Sequence, residues 1–304
     1  MTDSETNASA HDEDLAEFKT SALYVVGTPI GHLGELSARA IAALRAADLI
    51  ACEDTRGTAR LARHLSLRAP LVAVHEHNER SGADRLIAAL GEGKRVALVS
   101  DAGTPAVSDP GAKVVRAVQD AGFRVIPVSG PSAAVVALSA SGLLDAQFRF
   151  VGFLPPKSAA RRRVLEGLCE QDCALVFYEA PHRIVECVDD IVAVMQPQRE
   201  LVVARELTKL FEQIVRLPLA DAPAWLQADA NHQRGEFVLL LSAPPQAEGL
   251  DAATLRTLGL LLDELPPSRA VKLAQAITGA PRKLLYAHAM TLGVDAPADD
   301  DSLG

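Results

Sequence analysis

The sequence contains little cysteine. Four cysteines in 304 residues are too few for a disulfide scaffold. Cys169 and Cys173 are separated by three residues and have no histidine nearby, which is unlike the spacing of zinc ligands. We therefore expect buried thiols with no structural or redox role.

The common phosphate-binding motifs are also absent. No GxxxxGK[ST] segment occurs, which argues against a P-loop. The first apolar run leads into a GxxxGxxG segment that starts at Gly27, whereas Rossmann dinucleotide sites use GxGxxG. Gly27 and Gly31 still bracket a tight loop in which the backbone can approach a ligand, although most such loops are only turns.

Long apolar segments are missing as well. Residues 125–144 carry no charge, but Pro127, Gly130 and Pro131 divide them into a strand, a turn and a short helix. That helix is too short to cross a membrane. Residues 1–20 are polar and acidic, without the apolar core of a signal peptide. We expect a soluble, cytoplasmic protein.

Acidic residues outnumber basic ones, and the net charge is −9. Taken alone, this charge argues against a nucleic-acid partner. However, the excess lies in two predicted disordered tails, residues 1–20 and 293–304, and the rest of the chain is neutral. Residues 146–165 and 266–294 contain bases but no acid. The distribution of charge therefore permits an RNA partner.

The periodicity of apolar residues predicts an α/β protein. Short apolar runs alternate with helical stretches over residues 21–145, which predicts a mostly parallel sheet with helices on both faces. Residues 146–246 contain two runs in close succession, so we expect a mixed α/β domain. Residues 250–292 show only helical patterns. A Gly279-Ala-Pro281 junction there predicts a helix-turn-helix-like unit.

The strongest local signal is the segment of residues 100–111, which follows an apolar run. Its glycines, prolines and aspartates predict an ordered loop at the carboxyl end of a strand, where open α/β sheets bind ligands. Backbone N–H groups and an aspartate suit a ligand with both a carboxylate and an ammonium. Residues 129–133 follow the next run and open a helix. Either segment could also be an ordinary loop or turn.

Charged residues follow two further strands. Glu179, His182 and Arg183 cluster where general acid–base chemistry could occur, and residues 204–209 end the next strand in the same way. The ordinary alternative is a capped, solvated helix start.

Three weaker signals remain. His75 and His77 share one face of an extended segment, but no further zinc ligands are evident, so we expect no metal. Residues 53–56 fit a helix cap or a substrate contact equally. The main basic cluster, Lys157 with residues 161–163, is either a solvated helix face or a contact to RNA phosphates.

In this order, the motifs resemble those of the ribosomal small-subunit RNA 2'-O-methyltransferases that modify cytidine 1402 of 16S rRNA. This group belongs to the tetrapyrrole methylase superfamily. The similarity covers about residues 22–242, and the helical unit also fits. The motifs that carry it are Gly27-Thr-Pro-Ile-Gly31, Glu53-Asp-Thr-Arg56, His75-Glu-His-Asn78, Ser100-Asp-Ala-Gly-Thr-Pro105, Ser108-Asp-Pro-Gly111, Gly130-Pro-Ser-Ala133, Gly152-Phe-Leu-Pro155, Glu179-Ala-Pro-His-Arg183 and Arg205-Glu-Leu-Thr-Lys209.

The resemblance implies a class III methyltransferase with two α/β domains of the tetrapyrrole methylase type and a small C-terminal helical unit. The cleft between the two domains would hold S-adenosylmethionine. A homodimer without a metal is implied as well. The implied cofactor contacts are Pro29, Asp101, Ala102, Gly103, Thr104, Val107, Ser132, Ala133, Glu179, Ala180, Ala204 and Arg205.

The implied reaction is direct SN2 transfer of the sulfonium methyl to a ribose 2'-hydroxyl. We predict Glu179 or His182 as the general base and Arg183 as the residue that orients the substrate. The residues predicted to contact 16S rRNA in the small ribosomal subunit are Arg56, Lys157, Arg161, Arg162, Arg163, Arg269, Lys272, Arg282 and Lys283.

Three other functions compete with this one. A small-molecule tetrapyrrole methyltransferase shares the fold and cofactor, but it would need neither the basic cluster at residues 161–163 nor the basic helical unit. A non-enzymatic ribosome-assembly factor would bind the subunit without transferring a methyl group. A nucleotide-binding regulator would need a phosphate loop, which the sequence lacks.

Overall fold

The structure is a computed structural model that describes residues 18, 20–75, 78–245, 249–250 and 252–291. The chain divides into two compact units between Pro244 and Pro245. The predicted acidic tails lie almost entirely outside the described residues, as does His77.

Five short apolar strands form the first sheet, in the order β3-β2-β4-β1-β5, and all four pairings are parallel. A helix follows each strand, as parallel pairing of successive strands requires. The strands are β1 (Leu23–Val26), β2 (Leu49–Cys52), β3 (Leu71–Ala73), β4 (Val96–Val99) and β5 (Val125–Val128). The helices are α1 (Ala38–Ala46), α2 (Thr55–His64), α3 (Glu79–Gly91), α4 (Ala112–Asp120) and α5 (Ala133–Ser141).

The second sheet also has five strands, in the order β6-β7-β10-β8-β9. β6 and β7 pair in parallel, whereas β10 is antiparallel to both β7 and β8, and β9 is antiparallel to β8. The strands are β6 (Phe148–Phe153), β7 (Ala174–Glu179), β8 (Glu200–Arg205), β9 (Gln213–Pro218) and β10 (Phe237–Leu241). The helices are α6 (Ser158–Glu166), α7 (Ile184–Val194) and α8 (Ala222–Ala228).

The central strands are apolar on both faces because both faces pack against other elements. β2, β4 and β10 are buried along their whole length. In β1, Leu23 and Tyr24 point into two different hydrophobic clusters, as the alternation of a strand requires. Buried strands of this kind give the loops at their ends a rigid base.

The second unit consists of helices. α9 (Ala252–Glu264), α10 (Pro267–Thr278) and α11 (Arg282–Thr291) pack around Leu258, Val271 and Leu285. Gly279 ends α10 in a left-handed conformation with φ of 73°, as predicted from the junction. Two α/β sheets followed by helices confirm the predicted fold class. Within the described ranges, no helix is both long and apolar enough to span a membrane.

Candidate functional site

A cavity of about 380 Å³ lies where loops from both sheets meet. On the side of the first sheet, the lining residues belong to the segments that come after β1, β4 and β5 in the chain. In the second sheet they come from the ends of β6 and β7, the turn after β8 and the start of β10. Its size suits one small-molecule ligand. The lining residues are Ile30, Asp101, Ala102, Gly103, Thr104, Val107, Asp109, Ser132, Ala133, Phe153, Tyr178, Glu179, Ala180, Pro181, Leu207, Lys209, Glu236, Phe237 and Val238.

The loop of residues 100–111 is fastened to the end of β1. Gly103 N donates to the carbonyl of Thr28 (3.0 Å), and the Gly103 carbonyl accepts from Thr28 N (2.8 Å). Further along, Ala106 and Ser108 have positive φ of 66° and 64°, a conformation that costs free energy in residues other than glycine. The loop therefore presents a fixed, irregular backbone to the cavity.

Two glycines let the ends of β1 and β5 approach closely. A Cβ added to Gly27 would lie 2.7 Å from Gly130 Cα, and a Cβ on Gly130 would lie 2.7 Å from Gly27 Cα. Neither position has room for a side chain. Next to this contact, Thr104 Oγ1 donates to the carbonyl of Pro131 (3.1 Å). The ends of three strands thus form one continuous backbone wall.

The second sheet joins this wall through hydrogen bonds at two strand ends. Tyr178 Oη accepts from the backbone N–H of Ala134 in the first turn of α5 (3.1 Å). After β8, Glu206 has a φ of 50°. Its Oε1 accepts from Lys209 Nζ (2.9 Å) and from Glu236 N (3.0 Å). These bonds fix the turn that carries Leu207 and Lys209 to the cavity.

Carboxylates outnumber cations in the lining. Lys209 is the lining cation, and its ammonium is already paired with Glu236 (2.9 Å). Burial and the neighbouring Glu53 and Asp101 carboxylates raise the pKa of Asp109 to about 6. A hydrogen bond from Ser100 acts in the opposite direction but is outweighed. Such a lining favours a ligand that carries positive charge. The ionisable lining residues are Asp101, Asp109, Tyr178, Glu179, Lys209 and Glu236.

Most of the residues predicted to contact the cofactor line the cavity: Asp101, Ala102, Gly103, Thr104, Val107, Ser132, Ala133, Glu179 and Ala180. Pro29, Ala204 and Arg205 do not. Ala204 is fully buried within β8, and Arg205 donates to Gln213 (2.9 Å) and to the carbonyl of Arg234 (3.2 Å). The contacts of these three residues with the cofactor stay predictions.

Of the two predicted general bases, Glu179 lines the cavity and His182 does not. The Glu179 carboxylate is fully buried, accepts from Ala180 N (2.8 Å) and lies 3.2 Å from Arg183 Nε. Arg183 Nη2 donates to the carbonyl of Leu154 (2.6 Å), so its guanidinium is also engaged within the protein. His182 is exposed but does not line the cavity. Glu179 and Arg183 thus support the surrounding backbone, and the identity of the general base stays a prediction.

The basic cluster of α6 is divided between interior and surface. Arg161 is fully buried, and its Nε donates to Asp190 (2.6 Å). The prediction that Arg161 contacts RNA is therefore wrong, because its guanidinium is buried and paired. The other residues predicted to contact RNA are Arg56, Lys157, Arg162, Arg163, Arg269, Lys272, Arg282 and Lys283. Each is at least partly exposed.

The part of the lining that belongs to β10 was not predicted from the sequence. Phe237 and Val238 begin this strand, and Phe237 pairs with Glu179 and Arg205. Because β10 is antiparallel to β7 and β8, its first residues lie beside their last ones. The expectation that ligands bind at the carboxyl ends of strands therefore does not identify the first residues of β10. Asp109 was also missed, although it stands in the loop that gave the strongest signal.

Thiols and metal-ligating groups form no centre in the described part of the chain. There, no cluster of three or more His, Cys, Asp or Glu side chains is placed to hold a metal ion. All four cysteines are free, and Cys52 and Cys187 are buried.

Comparison with known proteins yields matches over most of the chain. The family model for tetrapyrrole (corrin/porphyrin) methylases matches residues 22–223. A second model, for the RsmI C-terminal HTH domain, matches residues 248–293. Both matches lie where the structure has its α/β sheets and its terminal helices.

Two curated relatives share the name ribosomal RNA small subunit methyltransferase I. The Pseudomonas aeruginosa protein is 49% identical over 271 residues, covering 88% of this chain and 96% of its own length. The Escherichia coli O157:H7 protein is 46% identical over 276 residues, covering 90% of this chain and 96% of its own.

Solved structures show the same fold. The uroporphyrin-III C-methyltransferase of Thermus thermophilus, crystallised with S-adenosylhomocysteine, has a TM-score of 0.52 and 19% identity. The match covers 73% of this chain and 97% of that one. The chain therefore belongs to the tetrapyrrole methylase family and, within it, to the ribosomal RNA small subunit methyltransferases I.

Proposed function

We propose that this protein transfers the methyl group of S-adenosylmethionine to the ribose 2'-hydroxyl of cytidine 1402 in 16S rRNA. Its membership of the family makes it a methyltransferase of ribosomal RNA. The cytidine, the 2'-oxygen and the direct transfer are the specific parts of the proposal, and they rest on the resemblance of the motifs.

The observation that carries the proposal is the acidic cavity at the strand ends. S-adenosylmethionine bears a sulfonium and an ammonium, and the lining supplies carboxylates with little unpaired positive charge. Gly27 and Gly130 let the ends of β1 and β5 approach closely, which positions the loops that line the cavity. A solved protein of the same fold was crystallised with S-adenosylhomocysteine. The residues present therefore fit this cofactor.

The cavity would hold the cofactor mainly through its first-sheet wall. We assign this role to residues 101–104 and to Ser132 and Ala133, with Ala180 and Leu207 on the opposite side. When bound, S-adenosylmethionine supplies an activated methyl group for in-line transfer. The protein excludes water and fixes the orientation of the acceptor hydroxyl, which can contribute much of the rate acceleration.

Asp109 is the lining carboxylate best suited to accept the proton of the 2'-hydroxyl. It lies on the fastened loop, and its pKa of about 6 leaves it ionised yet basic at neutral pH. Glu179 suits this role less well, because its carboxylate is fully buried and lies 3.2 Å from Arg183 Nε. We therefore propose Asp109 in place of Glu179 and His182.

The exposed cations would contact the phosphates of the subunit RNA. In the first unit these are Arg56, Lys157, Arg162 and Arg163, and in the second they are Arg269, Lys272, Arg282 and Lys283. We further propose a homodimer, as the resemblance implies. Light scattering of the purified protein tests this, and a monomer at assay concentration would contradict it.

The function is tested by incubating the protein with methyl-labelled S-adenosylmethionine and small subunits that lack the modification. Label is expected at one ribose, cytidine 1402. Asp109→Asn, which keeps the shape of the side chain, should bind S-adenosylhomocysteine as the wild type does but transfer little label. Absence of label in RNA would refute the proposal. Label on a tetrapyrrole offered in the same assay would favour the small-molecule alternative.

A further inference from the structure

An aromatic side chain stands exposed at the rim of the cavity. Phe153, the last residue of β6, lines the cavity and is 56% exposed. Another aromatic residue of the lining, Phe237, is only 3% exposed. An exposed phenylalanine loses the free energy that burial of its ring would give. Its position beside the cavity leaves the ring open to a ligand that would cover it.

The backbone of β6 is bent at this point. The pairing register of β6 and β7 shifts between Phe150 and Gly152, and Gly152 has a φ of 77°. A Cβ on Gly152 would lie 2.8 Å from Ser108 Oγ, so this strand touches the loop of residues 100–111. Irregularities of this kind redirect the next side chain and are common beside active sites. Here the redirected side chain is Phe153.

The ring of Phe153 is held from one side. It makes an edge contact with the ring of Tyr178, with centroids 5.7 Å apart and planes at 70°. Tyr178 is itself fixed by an edge contact with Phe150 at 5.0 Å and by its hydrogen bond to Ala134 N. Phe153 is therefore supported by a rigid neighbour while more than half of its surface remains open.

Two arginines fix the segment that follows Phe153. Arg183 Nη2 donates to the carbonyls of Leu154 (2.6 Å) and Pro155 (3.3 Å). The buried Arg161 donates to the carbonyls of Pro155 and Pro156, each at 3.4 Å. The backbone on both sides of the ring is thus constrained, so the ring is presented in one place before any ligand arrives.

We propose that Phe153 is a stacking platform for the nucleobase of the nucleotide that is methylated. This inference rests on the proposed function. A cavity of about 380 Å³ has room for one small ligand, the cofactor, so the acceptor nucleotide must lie at the rim. Nucleobases are commonly bound by stacking on aromatic rings, and a rigid, half-open ring needs no ordering first.

The test compares three Phe153 variants with the wild type and with Phe148→Ala. Phe148 is on the same strand and 52% exposed, but it does not line the cavity, so it is the matched control. Phe153→Ala should lower kcat/KM on unmodified subunits by about 10- to 100-fold. Phe153→Leu keeps apolar bulk and should lose nearly as much, whereas Phe153→Trp should retain most of the activity.

Calorimetry with S-adenosylhomocysteine separates the nucleobase from the cofactor. The Kd of each Phe153 variant should stay within about 3-fold of the wild type, and its unfolding temperature should be unchanged. Two outcomes would overturn the inference: a loss in Phe153→Ala no larger than in Phe148→Ala, or a matching loss of cofactor affinity. Wild-type protein that transfers no methyl group to RNA would overturn the proposed function as well.

Discussion

Replacement of Asp190 by asparagine should destabilise the first unit strongly. The Asp190 side chain is 3% exposed and accepts from Arg161 Nε (2.6 Å), Arg162 Nε (2.5 Å) and Ser158 Oγ (2.9 Å). Arg161 is fully buried, whereas Arg162 is 49% exposed. In Asp190→Asn the Arg161 guanidinium keeps only carbonyl partners and a carboxylate of Glu186 that is 3.8 Å away.

The expected loss of stability depends on the burial of the Arg161 charge that remains after the substitution. Removal of one partner of a buried ion pair costs about 3–5 kcal/mol, because the remaining charge cannot be solvated. Arg162→Ala removes a half-exposed partner from the same carboxylate and should cost less than about 1 kcal/mol. For a unit of this size, the buried loss corresponds to a fall in the unfolding temperature of roughly 6–20 °C.

Urea denaturation followed by circular dichroism measures both variants. Burial would raise the pKa of Asp190, but hydrogen bonds from Arg162, Ser158 and Arg161 outweigh it and lower the pKa below its usual value. The stabilisation is therefore present above the unfolded pKa and is lost as pH falls through the folded one. In Asp190→Asn, the free energy of unfolding should therefore depend less on pH in the acidic range. Equal losses in the two variants, or a loss under about 1 kcal/mol in Asp190→Asn, would refute the reasoning.

Three further predictions concern the site. Asp109→Asn should lower kcat at least about 100-fold. In the wild type, kcat should rise with pH through about 6. The Asp109 carboxyl binds its proton more tightly in the folded state than in the unfolded one. The stability of the wild type should therefore fall as pH rises from about 4 to 6. At pH 7.5, Asp109→Asn should be more stable than the wild type by up to about 3 kcal/mol. Gly130→Ala should push the chain away from Gly27 and weaken S-adenosylhomocysteine binding about 10-fold or more. Gly91→Ala is the control: the nearest atom to its added Cβ is 3.9 Å away, so its stability should change by less than about 1 kcal/mol. Arg163→Ala should leave unfolding within about 0.5 kcal/mol of wild type but weaken the salt dependence of subunit binding, and an unchanged salt slope would exclude it from the RNA contact.

The first sheet could be predicted closely because its sequence is locally consistent. Apolar runs such as Leu49–Cys52 and Val96–Val99 are buried on both faces, so they read as strands without reference to distant residues. Parallel strands then place their carboxyl ends at one edge, which located residues 100–104 and 132–133 at the cavity. Sequence order thus predicted the two loops, and the family resemblance implied the individual contacts within them.

The second half of the site depends on pairing that no local pattern contains. β10 lies between β7 and β8 although β8 and β9 intervene in the sequence, and its antiparallel direction brings Phe237 to the cavity. The fully buried carboxylate of Glu179 likewise depends on Arg183 and on the packing behind the wall. A cluster of charged residues has the same composition whether it is exposed or buried. Composition therefore could not distinguish a catalytic role from a structural one.

The basic cluster of α6 shows where helical period could have improved the prediction. Arg161 and Leu165 are four residues apart, so they share one face of the helix, and both are fully buried. Arg163 falls on the opposite side and is exposed, whereas Arg162 lies at the edge between the two sides, half-exposed and paired with the same Asp190 as Arg161. A count of arginines therefore overstates the surface that can bind RNA. Arg161 also holds the backbone that follows Phe153. The two proposals therefore give the arginine run two different roles: Arg162 and Arg163 would contact RNA through surface charge, and Arg161 would position an aromatic ring.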